Sequence, residues 1–297
     1  MNPPRRATDT RRARRPTNDR VTHVDLPERP EPLPGPVVDT HCHLDMTERY
    51  SGLGTGVALR WAAEVGVGRV VQIGCDVAGS RWAVAAAERW PNVVAGVAIH
   101  PNDAARLETG LGEALGVVEE LAGHPRVRAV GETGLDHYRT REPAGRLRQR
   151  EAFAVHIALA AAYGKTLVIH DRDAHADVLD VLDAEGVPDR VVMHCFSGDV
   201  DFARACLDRG AYLSFAGPVT FKPNAALRVA LAATPLDRVL VETDAPYLTP
   251  MPFRGRPNAS YLIPHTARSM ADTLGVDLET LCQALTDNAI AAFGGEW

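Results

Sequence analysis

Val37-Val38-Asp39-Thr40-His41-Cys42-His43-Leu44-Asp45 is the stretch whose reading decides this chain. Two valines lead into a His-x-His pair, and the chain then breaks into a polar turn. Successive side chains of an extended strand point to opposite faces, so His41 and His43 project from one side, roughly 6–7 Å apart along the chain. Two imidazoles on a rigid strand end can reach one metal ion, while Cys42 points the other way. Alone, the pair reads equally well as an ordinary polar strand exit. How the other apolar runs end decides between the two.

From residue 36 onward, short β-branched runs alternate with Ala- and Leu-rich amphipathic stretches, the signature of βα units around a parallel sheet. Strands are predicted near 36–42, 69–74, 93–99, 127–132, 166–170, 190–194, 211–214 and 238–242. Helices are predicted near 55–66, 79–90, 111–123, 144–163, 173–185, 199–209, 222–233 and 260–273, with a last one near 278–292. Eight such units make an α/β fold, a (β/α)8 TIM-type barrel filling residues 36–297 as one domain. The alternative is an open doubly wound sheet, but no Gly-x-Gly-x-x-Gly follows the first strand.

Active sites of such barrels gather at the C-terminal ends of the strands. The third predicted strand ends Ile99-His100-Pro101, and the fourth Val130-Gly131-Glu132-Thr133-Gly134-Leu135-Asp136. The fifth ends His170-Asp171-Arg172, the sixth His194-Cys195-Phe196-Ser197-Gly198, and the eighth Glu242-Thr243-Asp244-Ala245-Pro246-Tyr247. Metal-capable side chains thus recur on the one rim where ligands would converge.

The first 35 residues differ from everything after them. Residues 1–20 hold arginines 5, 6, 11, 12, 14, 15 and 20 against two aspartates, with almost nothing to bury. Pro32, Pro34, Gly35 and Pro36 then lead into the first strand, so residues 1–35 are expected to be a disordered, Arg-rich arm. No apolar segment follows the paired arginines, which argues against a twin-arginine export signal. The whole chain of 297 residues carries 32 basic and 38 acidic residues; removing the seven arginines and two aspartates leaves 25 against 36, a net charge of −11. Such a body is no general nucleic-acid binder by charge alone, so affinity for phosphates must come from a local cluster, bound metal or the arm. Five scattered cysteines without a C-x-x-C argue against a disulfide framework or zinc ribbon and favour a cytoplasmic location. No apolar run approaches the ~20 residues needed to span a membrane.

The runs Asp39-Thr40-His41-Cys42-His43, Gly131-Glu132-Thr133-Gly134-Leu135-Asp136, His194-Cys195-Phe196-Ser197-Gly198 and Glu242-Thr243-Asp244-Ala245-Pro246-Tyr247 resemble the TatD family of metal-dependent hydrolases, amidohydrolase-like barrels. The resemblance covers the chain from about residue 36 to its end and leaves the arm out. On the residues, His41 and His43 hold one ion with Asp244 as an oxygen ligand, and His170 and His194 hold a second. Glu132 bridges, since each carboxylate oxygen can bind one ion; the resemblance implies the same six positions. Many related barrels bridge with a carboxylated lysine instead. Here the only two lysines are misplaced, Lys165 at the start of the fifth strand and Lys222 at the start of a helix.

Two divalent cations per chain would acidify a shared water and clamp a phosphate or carbonyl oxygen. Asp244 is then the natural proton acceptor, with Glu132 as its catalytic companion. No Gly-x-Ser-x-Gly elbow supports a serine hydrolase. Cys42 and Cys195 directly follow ligand histidines and are expected to face away from the site. His100, Asp136, Arg172 and Arg256 lie in predicted rim loops as candidate substrate-binding residues, beside Arg254 and Asn258. Four histidines with two carboxylates suit zinc, manganese, nickel or iron, whereas the resemblance points to magnesium. The family resemblance implies a deoxyribonuclease, exonuclease-like, acting on single-stranded DNA. A deacylase cutting the ester of a misacylated tRNA is the alternative, and a non-catalytic, metal-binding docking protein the alternative from another class.

Overall fold

A computed structural model of the chain describes residues 25–294. Eight parallel strands form one sheet in sequence order: β1 (Val37–Cys42), β2 (Val67–Gly74), β3 (Val93–Val97), β4 (Val127–Asp136), β5 (Thr166–Arg172), β6 (Val191–Met193), β7 (Tyr212–Phe215) and β8 (Val239–Val241). The sheet curls until β8 returns to β1, where Cys42 bridges Ala245 in parallel and Thr40 Oγ1 donates to the Val241 carbonyl at 2.9 Å. This is the expected barrel. Its helices are α1 (Leu44–Ser51), α2 (Thr55–Glu64), α3 (Val77–Arg89), α4 (Pro101–Arg106), α5 (Leu111–Ala122), α6 (Pro143–Ala162), α7 (His175–Glu185), α8 (Val200–Leu207), α9 (Ala225–Ala233), α10 (Ile263–Leu274) and α11 (Leu278–Phe293).

Two of these helices depart from the sequence reading. The polar turn expected after His43 is α1, and α4 starts directly behind His100, whose ring Nδ1 accepts from the Asn102 N–H while Pro101 takes the first helical position. Elsewhere the starts are written in the side chains. Asp76, Asp199 and Asp277 cap α3, α8 and α11 by accepting backbone N–H bonds.

Strand side chains sort into two buried layers. Val37, Val70, Val93, Leu167, Val191, Leu213 and Val239 face the helices, while Val38, Val71, Val94, Val168, Val192 and Leu240 fill the barrel interior. Ala289, Ala292 and Phe293 of α11 join the interior layer, and Thr166 at the start of β5 donates to the Ala292 carbonyl. The C-terminal helix therefore plugs the barrel floor, opposite the ligand-bearing rim.

The arm boundary needs correcting. Residues 25–35, assigned above to the disordered arm, pack along the barrel wall. Leu33 is buried and its N–H donates to Val65 O at 3.0 Å. Arg268 reaches the carbonyls of Glu31 and Pro32, Tyr261 donates to Pro27 O at 2.7 Å, and Arg256 to the carbonyls of Asp25 and Leu26. Arg29 pairs with Glu64 and lies over the Trp61 ring. This strap covers the seam between the helices that follow β1 and β8. The arginine-rich residues 1–20 lie outside the described residues.

Candidate metal centre

Regular alternation aims two of the six predicted ligands. Val168 and Val192 face the barrel interior, so His170 and His194, two residues on, face it too. Alternation fails for the others. Val38 points inward, yet Cys42, of the same parity, packs among the outward residues and donates to Val71 O. The register of β1 shifts between Asp39 and Cys42, and that break turns His41 and His43 inward. In β4 the outward Val130 has the same parity as Glu132, and the register shifts between Val130 and Thr133. Gly134 then lets β4 run close to β5, since a Cβ there would lie 2.1 Å from His170 O at a φ of 128°.

Glu132 sits at the centre. Its Oε1 lies 3.6 Å from the Nε2 atoms of both His41 and His43. Oε2 faces the other set, at 3.0 Å from His194 Nε2, 3.2 Å from His170 Nδ1 and 3.8 Å from His100 Nε2. Asp244 Oδ1 is 3.3 Å from His43 Nε2 and 3.9 Å from His41 Nε2. Its backbone is left-handed, with φ 53°, and its N–H is tied to His41 O. All six predicted ligands thus meet in one cluster.

Neighbours fix how the rings are presented. His43 Nδ1 donates to the Ile73 carbonyl at 3.0 Å, leaving the Nε2 lone pair for a ligand. Glu242 does the same for His194, its Oε1 lying 2.9 Å from Nδ1 while also accepting the Cys195 N–H at 2.8 Å. Asp136 Oδ2 lies 3.4 Å from His170 Nε2. His41 is fully buried and neither of its ring nitrogens has a hydrogen-bond partner. A buried imidazole with no partner is costly unless something electrophilic occupies the space it faces. The donor set therefore fits divalent metal, and His41, His43 and Glu132 form one compact group and His100, Glu132 and His170 another.

Electrostatics follow from burial and crowding. Burial opposes the charge on Glu132, but His194, His100 and His170 outweigh it and hold the carboxylate well below its ordinary range. Burial also disfavours protonated His43 and His194; Cys75 and Asp244 around the first, and Glu242 and Glu132 around the second, reverse that and raise both. Burial takes His100 down to about 3, so with Nδ1 accepting from Asn102 the neutral ring offers an Nε2–H donor.

The remaining expected rim residues divide. His100 borders the cluster, and Arg172 stacks 4.0 Å over the Tyr138 ring at the mouth. Asp136 is buried, accepting from Asn102 and the Arg139 N–H, and its place is behind His170. Arg256 is not brought to the cluster, because its guanidinium holds Asp25 and Leu26. Arg254 lies over Phe221, and Asn258 ties the carbonyls of Thr243 and Tyr247. Cys195 has a φ of 44° and lines a cavity of about 420 Å³ with Ser197, Asn224 and Leu227, a cavity that none of the six predicted ligands lines. Phe196 is buried against Phe202 and Phe215, whereas Tyr247 is exposed above His43.

Sequence reasoning missed Glu242 and Cys75. The first stands two residues before Asp244 at a strand end, a signal that was available. Cys75 follows β2 directly, and its Sγ lies 3.4 Å from Glu132 Oε1, with burial pushing the thiol up to about 12.

A family described as TatD related DNase matches residues 38–294. The chain belongs to the TatD family. A Mycobacterium tuberculosis protein named uncharacterized metal-dependent hydrolase TatD is 44% identical over 270 residues, spanning 88% of this chain and 99% of that one. The Citrobacter rodentium 3'-5' ssDNA/RNA exonuclease TatD is 33% identical over 245 residues, 80% of this chain and 90% of its own length. Among solved structures, the TatD homologue YjjV of Escherichia coli superposes with a TM-score of 0.79 at 27% identity, covering 86% of this chain and 97% of that one. This TatD chain is accordingly a metal-dependent hydrolase.

Proposed function

We propose that the chain is a phosphodiesterase of the deoxyribonuclease type, removing nucleotides from single-stranded DNA with two divalent cations bound per chain. One observation carries this reading: the two oxygens of Glu132 face two separate histidine sets. A carboxylate so placed could hold two cations, one on each oxygen, and such a pair would supply the charge stabilisation that an in-line phosphoryl displacement needs. Zinc, manganese and magnesium are the ions to test, with the four histidines favouring the first two. The Citrobacter relative is named for activity on single-stranded nucleic acid, which agrees.

When bound, the cations polarise the scissile phosphate and acidify a water. The protein's own groups do the rest. Asp244 is one of the two more exposed members of the set, its side chain 16% accessible beside 18% for His170 and against 5% or less for His41, His43, Glu132 and His194, so it can accept the water's proton and pass it to solvent. His100 offers its Nε2–H to a substrate oxygen. Arg172, stacked on Tyr138, presents a guanidinium to a neighbouring phosphate. The exposed Tyr247 ring is placed to stack on a base. Five free cysteines, and no described helix long and apolar enough to cross a membrane, agree with a reducing, cytoplasmic setting.

The test is metal-reconstituted protein on a deoxydinucleotide and on a neutral carboxylic ester. Phosphodiester hydrolysis should dominate, and Arg172→Ala should depress it about 10- to 100-fold while leaving any ester turnover within threefold, as expected for a charge-assisted contact worth about 1.5–3 kcal/mol. Preferred hydrolysis of aminoacyl esters would instead select the deacylase. Full metal occupancy with no hydrolysis of either would select the docking protein.

A further inference from the structure

His156 is a titratable group that lies outside the ligand cluster and is fully buried in α6. Its two ring nitrogens reach two different segments of the barrel wall. Nε2 accepts the N–H of Ile99 at 3.3 Å, and Nδ1 lies 2.8 Å from Thr133 Oγ1. Burial keeps the ring neutral, its pKa pushed down to about 3 although the Ala152 carbonyl favours the protonated form. A neutral imidazole carries one N–H. Because Nε2 accepts, that proton sits on Nδ1 and is donated to Thr133.

Both contacts land beside groups of the metal centre, since Thr133 follows Glu132 and Ile99 precedes His100. They also fall where the sheet stops holding the chain. The β3–β4 ladder ends at Val97, and beyond it the N–H groups of Ala98, Ile99 and His100 go in turn to Ser80 Oγ, His156 Nε2 and the Cys75 carbonyl. In β4 the register against β5 shifts between Val130 and Thr133, and Glu132 lies inside that break. A side chain aimed by regular alternation is placed by the sheet itself; one aimed by a break depends on what pins the residues around it. Thr133 is fully buried and is pinned from behind by His156. We propose that His156 is a positioning residue that sets Glu132 and His100 relative to each other, through Thr133 on one side and Ile99 on the other. His100 Nε2 stands 3.8 Å from Glu132 Oε2, so one ring behind the wall holds the donor offered to substrate in register with the carboxylate offered to metal. The His100 half rests on the substrate role given to that residue above; the Glu132 half is independent of which bond is cleaved.

Substitution separates the two nitrogens. In His156→Asn the amide N–H takes the place of Nδ1, keeping the bond to Thr133 and dropping Ile99. In His156→Gln the longer side chain brings its carbonyl oxygen to the place of Nε2, keeping Ile99 and dropping Thr133. Thr133→Val removes the Thr133 bond from its other end and leaves the helix untouched. Metal affinity is read by titrating metal-free protein against a competing chelator. The His100 ring is followed by its proton–nitrogen correlation in NMR, identified from the spectrum of His100→Gln. His156→Gln and Thr133→Val should each weaken metal about 3- to 10-fold, the worth of one neutral hydrogen bond, and leave the His100 signal in place. His156→Asn should hold metal within about twofold and move the His100 signal. It should also raise KM for a deoxydinucleotide about 3- to 10-fold with kcat little changed. If both amide variants move both readouts alike, in step with a fall in Tm, His156 is a packing residue and the proposal is overturned. Unchanged metal affinity in Thr133→Val overturns it as well, and that variant decides the matter if neither amide variant folds. Should the parent protein not hydrolyse the dinucleotide, the nuclease reading fails, while the chelator titration and the ring signal still decide the role of His156.

Discussion

Glu242→Gln isolates the worth of a charge that touches no substrate. Glu242 is fully buried, and its Oε1 receives both His194 Nδ1 at 2.9 Å and the Cys195 N–H at 2.8 Å. A glutamine can keep an oxygen at that point, so both donors remain satisfied and the ring keeps its orientation; what disappears is the negative charge behind His194. Loss of such an outer partner typically lowers metal affinity 10- to 100-fold, or about 1.4–2.7 kcal/mol. The bond itself gives an overlapping but smaller figure, since a hydrogen bond to a charged group contributes about 1.5–3 kcal/mol and a neutral one about 1, a difference of about 0.5–2 kcal/mol. Titrating metal-free protein against a competing chelator should show one ion weakened by that factor. The other ion, held on the His41 and His43 side, should stay within about threefold. Affinities within twofold of the parent at both sites would refute the orienting role of Glu242, and an equal fall at both would mean that it acts on the whole centre.

Two further outcomes follow from the same geometry. Asp244→Asn keeps a ligating oxygen but removes the proton acceptor, so metal content should hold while turnover falls by about 10²–10⁴, whereas Glu132→Gln should lose one ion and recover in part with excess metal; elemental analysis beside turnover separates them, and metal rescue of the first but not the second would reverse the assignment. Metal should also stabilise more as pH rises. His43 and His194 are raised in the metal-free protein, so their contribution is full below the ordinary imidazole value of about 6.5 and is lost as pH climbs through the raised values, while the ions no longer have protons to displace. The gain in Tm on adding metal should therefore grow with pH across and above that value, and melting curves showing a constant or shrinking gain would contradict it.

The barrel was legible because β-branched runs and amphipathic stretches alternate with little interruption from Val37 to Phe293. His170 and His194 were legible for the same reason, each two residues beyond an inward valine. His41 and His43 were paired by simple alternation and Glu132 was taken from its place at a strand end, but all three reach the centre through register breaks that no periodicity announces. Glu242 depends on a ring nitrogen 48 positions away in the chain, a pairing visible only when β6 and β8 lie in place. Residues 25–35 read as linker from their prolines, because the side chains that hold them, Arg256, Tyr261 and Arg268, come more than two hundred residues later. The same contacts explain why Arg256 looked like a rim arginine free for substrate.

The seam between β1 and β8 has a consequence for how the molecule is made. Thr40 meets Val241 across 201 positions of chain, and Asp39 meets Thr243 across 204. Contacts of such separation close the circle of the barrel, and their loop entropy must be met by everything formed before them. His41 and His43 stand on one side of that seam and Asp244 on the other. A ribosome releasing this chain therefore completes the first ligand pair early and the last ligand late. Nothing short of the closed circle presents all six proposed ligands together, so the proposed centre is assembled only when β8 has docked against β1.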